Sequence, residues 1–375
     1  MHRNKRYVNK QMNLSICCWN VRTLLDNPSS NRPERRTALV AKELQRLNID
    51  IAALSETRLS DEDQLVECGA GYTFFWVGKP AGVRREGGVG FAIRTALVDQ
   101  IDCPSSIYDR IMKVRFPLSC GRYLSILSVY APTMQASEDT LISFYDALRS
   151  AVNSVPKEEK LIVLGDFNAR VGRDNQTWDA LGRYGVGKMN TNGLRLLELC
   201  SECDLVVCNT FFRQKLKHKA TWTHPRSKIG HMIDFIITRQ SDLADVCSMR
   251  VLRSADCDTD HKLVRCKLKL RIRKRMRMNG VKAPKRIDVA KLKLPGVTES
   301  LRAKLDDMEF DGSWNTFKEQ VYNAGVEHLG FRRKPYNDWF DDRSPAISEL
   351  LKTKLTLHAS LLNECSSDNS AAERA

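Results

Sequence analysis

The chain of 375 residues is 42% hydrophobic and carries sixty Lys and Arg against forty-five Asp and Glu, a net charge of +15 at neutral pH. That content can bury the core of one large domain and leave material for a smaller extension. The charge favours a polyanionic partner, nucleic acid before anionic membrane. No run approaches the roughly eighteen apolar residues that a spanning helix needs, and the basic stretch from Met1 to Gln11 lacks the apolar core of an export signal. Twelve cysteines in a chain not expected to be exported read as reduced thiols rather than a disulfide framework.

The first β-rich run, Leu14 to Trp19, ends in Trp19-Asn20-Val21-Arg22, where the Asn20 amide can orient a carboxylate or simply cap a turn. Pro33 to Leu47 predicts a helix, with Pro33 in its first turn and Leu39, Val40, Leu44 and Leu47 on one face. A second strand, Ile49 to Leu54, runs into Ser55-Glu56-Thr57-Arg58. A carboxylate directly after an apolar strand suits magnesium, which keeps several waters and takes one or two carboxylates. Glu56 taken alone is equally an acid at a helix N-terminus. Gly87-Gly88-Val89-Gly90 lacks the Lys-Ser/Thr of a phosphate-binding loop and precedes Phe91-Ala92-Ile93, so it reads as a tight turn into a strand.

Tyr123 to Val129 forms a third strand, followed by Tyr130-Ala131-Pro132-Thr133. The proline stops the ladder, and the phenol either donates to a phosphate oxygen or packs as an ordinary aromatic. Leu141 to Val152 predicts a helix. The strand Leu161 to Leu164 then runs into Gly165-Asp166-Phe167-Asn168. Gly165 permits a tight turn, so Asp166 and Asn168 face the same side: one can take a proton from water while the other donates to developing negative charge. A plain Asp-x-Asn turn is the alternative. A helix is expected from Gly193 to Cys200. Its Cys200-x2-Cys203 has no second ligand pair at matching spacing and reads as thiols of an amphipathic helix rather than a zinc site.

Thr221-Trp222-Thr223-His224 precedes the strand Met232 to Thr238. In that strand Asp234 lies among apolar residues, where a charge is costly unless paired. Thr259-Asp260-His261 supplies a partner, because a carboxylate that holds an imidazole fixes its tautomer and raises its basicity. Leu263 to Ile272 alternates apolar residues with Lys and Arg as a half-buried strand does. From Arg265 to Arg286 there are eleven Lys or Arg and no acid, either a solvated linker or a run that contacts phosphate or directs nuclear import. Beyond Ile287 the pattern is helical. Ser344-Pro345 marks a start ahead of Ile347, Leu350, Leu351, Leu355, Leu361 and Leu362, and Asp341-Asp342 reads as an acid pair opening a helix.

Asn20, Glu56, Tyr130, Gly165 to Asn168, Ile233-Asp234-Phe235 and Thr259-Asp260-His261 resemble, in this order, the motifs of the endonuclease/exonuclease/phosphatase superfamily over about Leu14 to Leu270. The resemblance implies an α/β fold of four layers, an αββα sandwich of two packed mixed sheets flanked by helices, here with a C-terminal helical extension. It implies that Glu56 binds magnesium, or manganese in its place, with Asn20 in support and Asp260 contributing to the metal or its waters. It makes Asp166 the residue that orients or deprotonates water. Asn168 and Tyr130 contact the scissile phosphate, Asp234 holds His261 against the transition state, and the hydroxyls of Thr221, Thr223 and Thr259 add phosphate contacts. The implied reaction is an in-line displacement on DNA that leaves a 3′-hydroxyl.

Trp19 to Thr23, Ala255 to His261 and Asp338-Trp339-Phe340-Asp341 are similar, within that superfamily, to endonucleases of non-LTR (LINE-type) retrotransposons, the RTE/BovB-like and craniofacial development protein 2-like group. Arg22 departs from the acid that abasic-site enzymes carry there, which weakens a second-metal or abasic-site reading. Thr259 stands where many relatives have Ser and keeps the hydroxyl. The expected organisation is a catalytic domain over 14–270, a basic linker over 271–286 and a helical extension over 287–375, with the nucleus as the expected location. Two other readings stay open, a phosphatase or phosphodiesterase for lipid or inositol phosphates and a catalytically silent remnant that binds DNA or chromatin.

Overall fold

The computed structural model describes residues 7–26, 35–275, 287, 291–292, 295–308, 314–330 and 343–372. It divides into two compact units, Met1–Met276 with Ser344–Ala375, and Arg277–Arg343. In the first unit a seven-stranded sheet runs in the order β14 (Val246–Leu252), β15 (Leu263–Arg275), β1 (Tyr7–Asn20), β2 (Ile51–Ser55), β5 (Val89–Arg94), β4 (Tyr72–Val77) and β3 (Glu62–Glu67). A six-stranded sheet runs in the order β10 (Leu205–Val207), β13 (Asp234–Arg239), β9 (Lys160–Asp166), β8 (Tyr123–Tyr130), β7 (Ile111–Pro117) and β6 (Ser105–Tyr108). β1 with β2 and β8 with β9 pair in parallel. A short hairpin, β11 (Trp222–Thr223) and β12 (Gly230–His231), stands apart.

The two-residue period of a strand decides the layers. Leu14, Ile16 and Cys18 of β1 join Ile51, Phe91, Ile126, Ile162, Leu164 and Ile236 in a core between the sheets. Cys17 and Trp19 face the other way and pack with Val40, Ala41 and Leu44 of helix α1 (Arg36–Arg46). On the far side Leu161 and Val163 of β9 meet Phe144 and Leu148 of α3 (Glu138–Asn153), and Leu196 and Leu197 of α4 (Thr191–Glu202). A short α2 (Thr95–Val98) follows β5. The result is the expected αββα sandwich. Central strands covered on both faces read as unbroken apolar runs, and each Leu, Ile or Phe so enclosed contributes about 1.5–3 kcal/mol. Ser137 and Asn190 cap α3 and α4, accepting from the backbone N–H of Thr140 and Gly193, the role their short polar side chains favour.

The strands expected at 14–19, 49–54, 123–129, 161–164 and 232–238 all form, and so do the helices. Gly87 and Gly88, at φ 82° and 83°, make the turn into β5. Several strands have no counterpart in the sequence reading. Edge strands β3 and β6 are mostly exposed and carry no apolar alternation. β1 and β15 run on to Tyr7 and Arg275, paired residue for residue as a ribbon. The residues that extend it before Leu14 and after Ile272 are mostly polar or basic and lie beyond the hydrophobic pattern.

The rest of the basic run, 276–286, lies outside the described residues, as does the stretch from Asp338 to Asp342. The helical stretch expected over 287–375 divides between the units. α5 (Pro295–Asp306) and α6 (Trp314–Leu329) belong to the second, and α7 (Ser344–Ala372), which starts at the expected Ser344, belongs to the first.

A Cβ on Gly165 of β9 would sit 1.8 Å from the Val129 carbonyl oxygen of β8. Backbone on both strands would have to move. Gly165→Ala is expected to destabilise the fold by about 1–3 kcal/mol, measured as a lowered midpoint in urea with an unchanged slope.

Candidate active site

The register of the strands assembles the site. Asn20, last in β1, pairs with Ser55, last in β2, so Glu56 follows at the same edge. Tyr130, last in β8, pairs with Asp166, last in β9, and Asp166 in turn pairs with Asp234, first in the antiparallel β13. The Ser55 hydroxyl donates to the Val129 carbonyl at 3.3 Å and ties the ends of the two sheets together. Five polar residues far apart in sequence therefore meet at one end of a rigid sandwich, the kind of support that holds a site to sub-ångström tolerance.

Asn20 is the bridge. Its Nδ2 donates to Glu56 Oε1 and to Asp166 Oδ2, both at 2.9 Å, and its Oδ1 accepts from the Arg22 backbone N–H. Glu56 Oε1 also accepts from the Tyr130 hydroxyl at 3.1 Å, and Oε2 from Arg58 at 3.0 Å. Asp166 Oδ1 accepts from the Asn168 backbone N–H at 2.9 Å. The Asn168 side-chain amide donates to the Ala131 carbonyl at 2.9 Å, which leaves its second amide proton. Glu56 and Asn168 have left-handed backbones, φ 55° and 47°, and the Glu56 loop is held by Thr57 N–H to Gly88 and Arg58 N–H to Gly87.

On the other side of Asp166, His261 Nδ1 lies 3.1 Å and 3.3 Å from the two oxygens of Asp234, and its Nε2 lies 3.9 Å from Asp166 Oδ2. Asp234 is 1% exposed. Burial alone would lower the His261 pKa; the charge of Asp234, its hydrogen bond and then Asp166 outweigh this and raise it to about 10. Burial, followed by the charge of Asp234, raises Asp166 to about 7. Burial, and then the charges of Glu56 and Asp166, push the Tyr130 phenol well above its usual range, so it stays protonated and donates.

The three threonines of the phosphate-contact reading each have a hydrogen-bond partner within the chain. The Thr221 hydroxyl is fully buried and accepts from the Ile233 and Asp234 backbone N–H groups. Thr259 donates to the Asn20 carbonyl at 2.8 Å and accepts from the His261 N–H. Both hydroxyls are committed to backbone and position Asp234 and His261. Thr223 Oγ1 accepts from Lys262 at 3.4 Å. The exposed Asp260 accepts from the Trp222 indole N–H at 2.7 Å, and among the described residues no hydrogen bond joins it to Glu56 or Asn20.

Trp222 therefore has a place that the sequence reading did not assign, holding Asp260 and lying against His231 and His261. Its position between Thr221 and Thr223 is the one signal that the sequence offers. Asn192, buried at the start of α4, donates to the Pro132 and Asn168 carbonyls and supports both site loops. Asn209 pins the Asp234 and Ile236 backbones on the far side of β13. Arg110 lies over the Tyr130 ring, 5.1 Å from its centre. None of these three carries a local pattern. Cys200 is buried on the helix side of the core, and burial pushes its thiol up.

The His261 shift makes folding stability depend on pH. A histidine raised above its unfolded value stabilises fully below about 6.5, and that contribution is lost as pH rises through about 10. Titration of the His261 ring by NMR is expected to move back toward the ordinary histidine range in Asp234→Asn, and the fall in stability between neutral and alkaline pH is expected to flatten in that variant. An unmoved titration would show that Asp234 does not set the charge of His261.

Residues 17–261, which end on His261, match the Endonuclease/Exonuclease/phosphatase family. Craniofacial development protein 2 from Bos taurus is 33% identical over 261 residues, which are 69% of this chain and 41% of that protein. The Tragulus javanicus protein of the same name is 31% identical over 261 residues, 42% of its length. The chain thus spans about two fifths of the length of the curated relatives it matches. Among solved structures, the catalytic domain of Xenopus laevis APE2 aligns over 70% of this chain and 94% of its own, with a TM-score of 0.53 at 16% identity. AP endonuclease LMAP from Leishmania major aligns over 68% and 88%, with a TM-score of 0.51 at 15% identity. At those identities the two structures share the fold. With its family motifs collected at one end of that fold, the chain belongs to the endonuclease/exonuclease/phosphatase family.

Proposed function

We propose that the protein is a magnesium-dependent endonuclease that hydrolyses a phosphodiester bond of DNA and leaves a 3′-hydroxyl. One observation carries the reading: the Asn20 amide bridges Glu56 and Asp166, while the His261–Asp234 pair flanks Asp166 from the opposite side. The array offers hard oxygen donors, a base and a cation within a few ångströms.

The donor chemistry fits magnesium, which prefers carboxylate and amide oxygens and keeps several waters. Glu56, with Asn20 in support, would hold the ion. Asp166, Asp234 and His261 also place ligand atoms within 4.8 Å of one another, but His261 Nδ1 is committed to Asp234 and the ring is protonated at neutral pH. When bound, magnesium supplies charge neutralisation at the phosphate. Asp166, raised to about 7, can accept a proton from water near neutral pH, where general-base catalysis works best. The His261 cation faces the developing negative charge, and the free amide proton of Asn168 adds a donor. Tyr130 orients Glu56 and can turn to a phosphate oxygen. Asp260, held by Trp222, would contribute to the metal or its waters.

The net charge of +15 supports an extended polyanion as substrate rather than a small soluble phosphate ester. It also supports a nuclear location, against which a diffuse cytoplasmic signal from a tagged chain would count. The resemblance of Trp19 to Thr23 and Ala255 to His261 to retrotransposon endonucleases supports target-site nicking as the form of the reaction.

Wild-type protein with magnesium is expected to nick supercoiled plasmid, and EDTA to stop it. Asp166→Ala and His261→Ala are each expected to slow nicking by roughly 10²–10⁴-fold. A folded wild type that shifts DNA with a steep salt dependence yet leaves plasmid intact would replace this reading with that of a binding remnant.

A further inference from the structure

The connection from β14 to β15 carries Thr259, Asp260 and His261. Its inner side is fastened to the sandwich. Arg36 donates to the Cys257 carbonyl at 2.8 Å, Arg46 to the Ser254 carbonyl at 2.9 Å, the Asp256 N–H to Glu43 at 3.3 Å, and Thr259 to the Asn20 carbonyl. Its outer side meets α7. Lys354 Nζ lies 2.9 Å from Asp256 Oδ2 and 2.9 Å from Asp258 Oδ1. One turn further along, on the same helix face, His358 Nε2 donates to the Arg253 carbonyl at 3.3 Å. The start of α7 is held on α1 by Lys42 to Ser344. Asp258 has a left-handed backbone, φ 58°, a state that needs support from its surroundings.

We propose that α7 braces the catalytic loop and that Lys354 is a positioning residue for His261, a role that rests for its kinetic effect on the phosphodiesterase reading above. Asp256 and Asp258 bear like charges two residues apart, on a turn closed by the Asp258 N–H to Asp256 Oδ1. One ammonium between them relieves their repulsion and holds the turn shut. The turn sets where the next three residues fall: Thr259 on the Asn20 carbonyl and His261 on Asp234. A helix outside the family match, which ends at residue 261, thereby fixes the geometry of the catalytic histidine. Loss of its docking would be felt at the site without any change in a residue that touches substrate.

Lys354 and Asp258 are about half exposed and Asp256 is 17% exposed, so the effect is modest and sensitive to salt. The test uses full-length Lys354→Ala, Lys354→Glu and Lys354→Arg, followed by hydrogen exchange of the peptide spanning 253–262 and by kcat and KM for plasmid nicking. Lys354→Ala is expected to speed exchange in that peptide and lower kcat by roughly 2- to 5-fold with KM unchanged. Lys354→Glu should do more, Lys354→Arg should restore both, and high salt should narrow the gap to wild type. Faster exchange throughout the sandwich, unchanged exchange in 253–262, or faster exchange there with kcat intact would each overturn the brace. If the wild type does not nick at all, the phosphodiesterase reading falls while the exchange measurement still decides the brace.

Discussion

A carboxylate enclosed between two sheets survives as a charge only when a cation reaches it, because burying it unpaired costs far more than a single fold can spare. Asp234 is enclosed in this way, at the head of β13 and 1% exposed, and His261 is the cation that reaches it. The pairing explains much of the surrounding construction. Thr221 and Asn209 grip the Asp234 backbone from both sides. Thr259 fastens the histidine loop to the end of β1, and Trp222 donates to Asp260 beside it.

A second constraint follows from the first. With Asp234 and His261 in place, Asp166 is the next buried carboxylate along the sheet edge, directly opposite Asp234 in register. Burial and its neighbour's charge raise it to about 7, well above an ordinary carboxylate. Asn20 spans the gap from Asp166 to Glu56 and couples the enclosed carboxylate to one that is 19% exposed. On the proposed reading, these different surroundings separate the work of a base from that of a metal ligand.

How much of this was legible in the sequence depends on the residue. The strands β1, β2, β8, β9 and β13 were, because burial on both faces leaves an unbroken apolar run. Glu56 and Asp166 were, because polar residues at the ends of such runs stand out against them, and Asp234 was, because a charge among apolar residues needs a partner. Edge strands β3 and β6 were not, since an exposed edge imposes no alternation. Asn192 and Asn209 were not, since an amide that hydrogen-bonds a distant carbonyl looks locally like any loop asparagine. Thr221 and Thr259 showed their hydroxyls plainly, yet whether a hydroxyl faces a phosphate or a backbone amide is settled by what packs against it.

By itself the sequence determined the apolar runs that become central strands, the helical periodicity beside them, the residue types at the strand ends, and a positive charge that favours an anionic partner. These are local or summed properties, and they survive without any knowledge of contacts. Only the tertiary structure decided the register that sets Tyr130, Asp166 and Asp234 side by side, the direction in which the threonine hydroxyls point, and the docking of α7 on the loop that ends in His261. Each of these joins segments tens to hundreds of residues apart, and such distances close through packing across the whole sandwich, which no short stretch of the chain encodes.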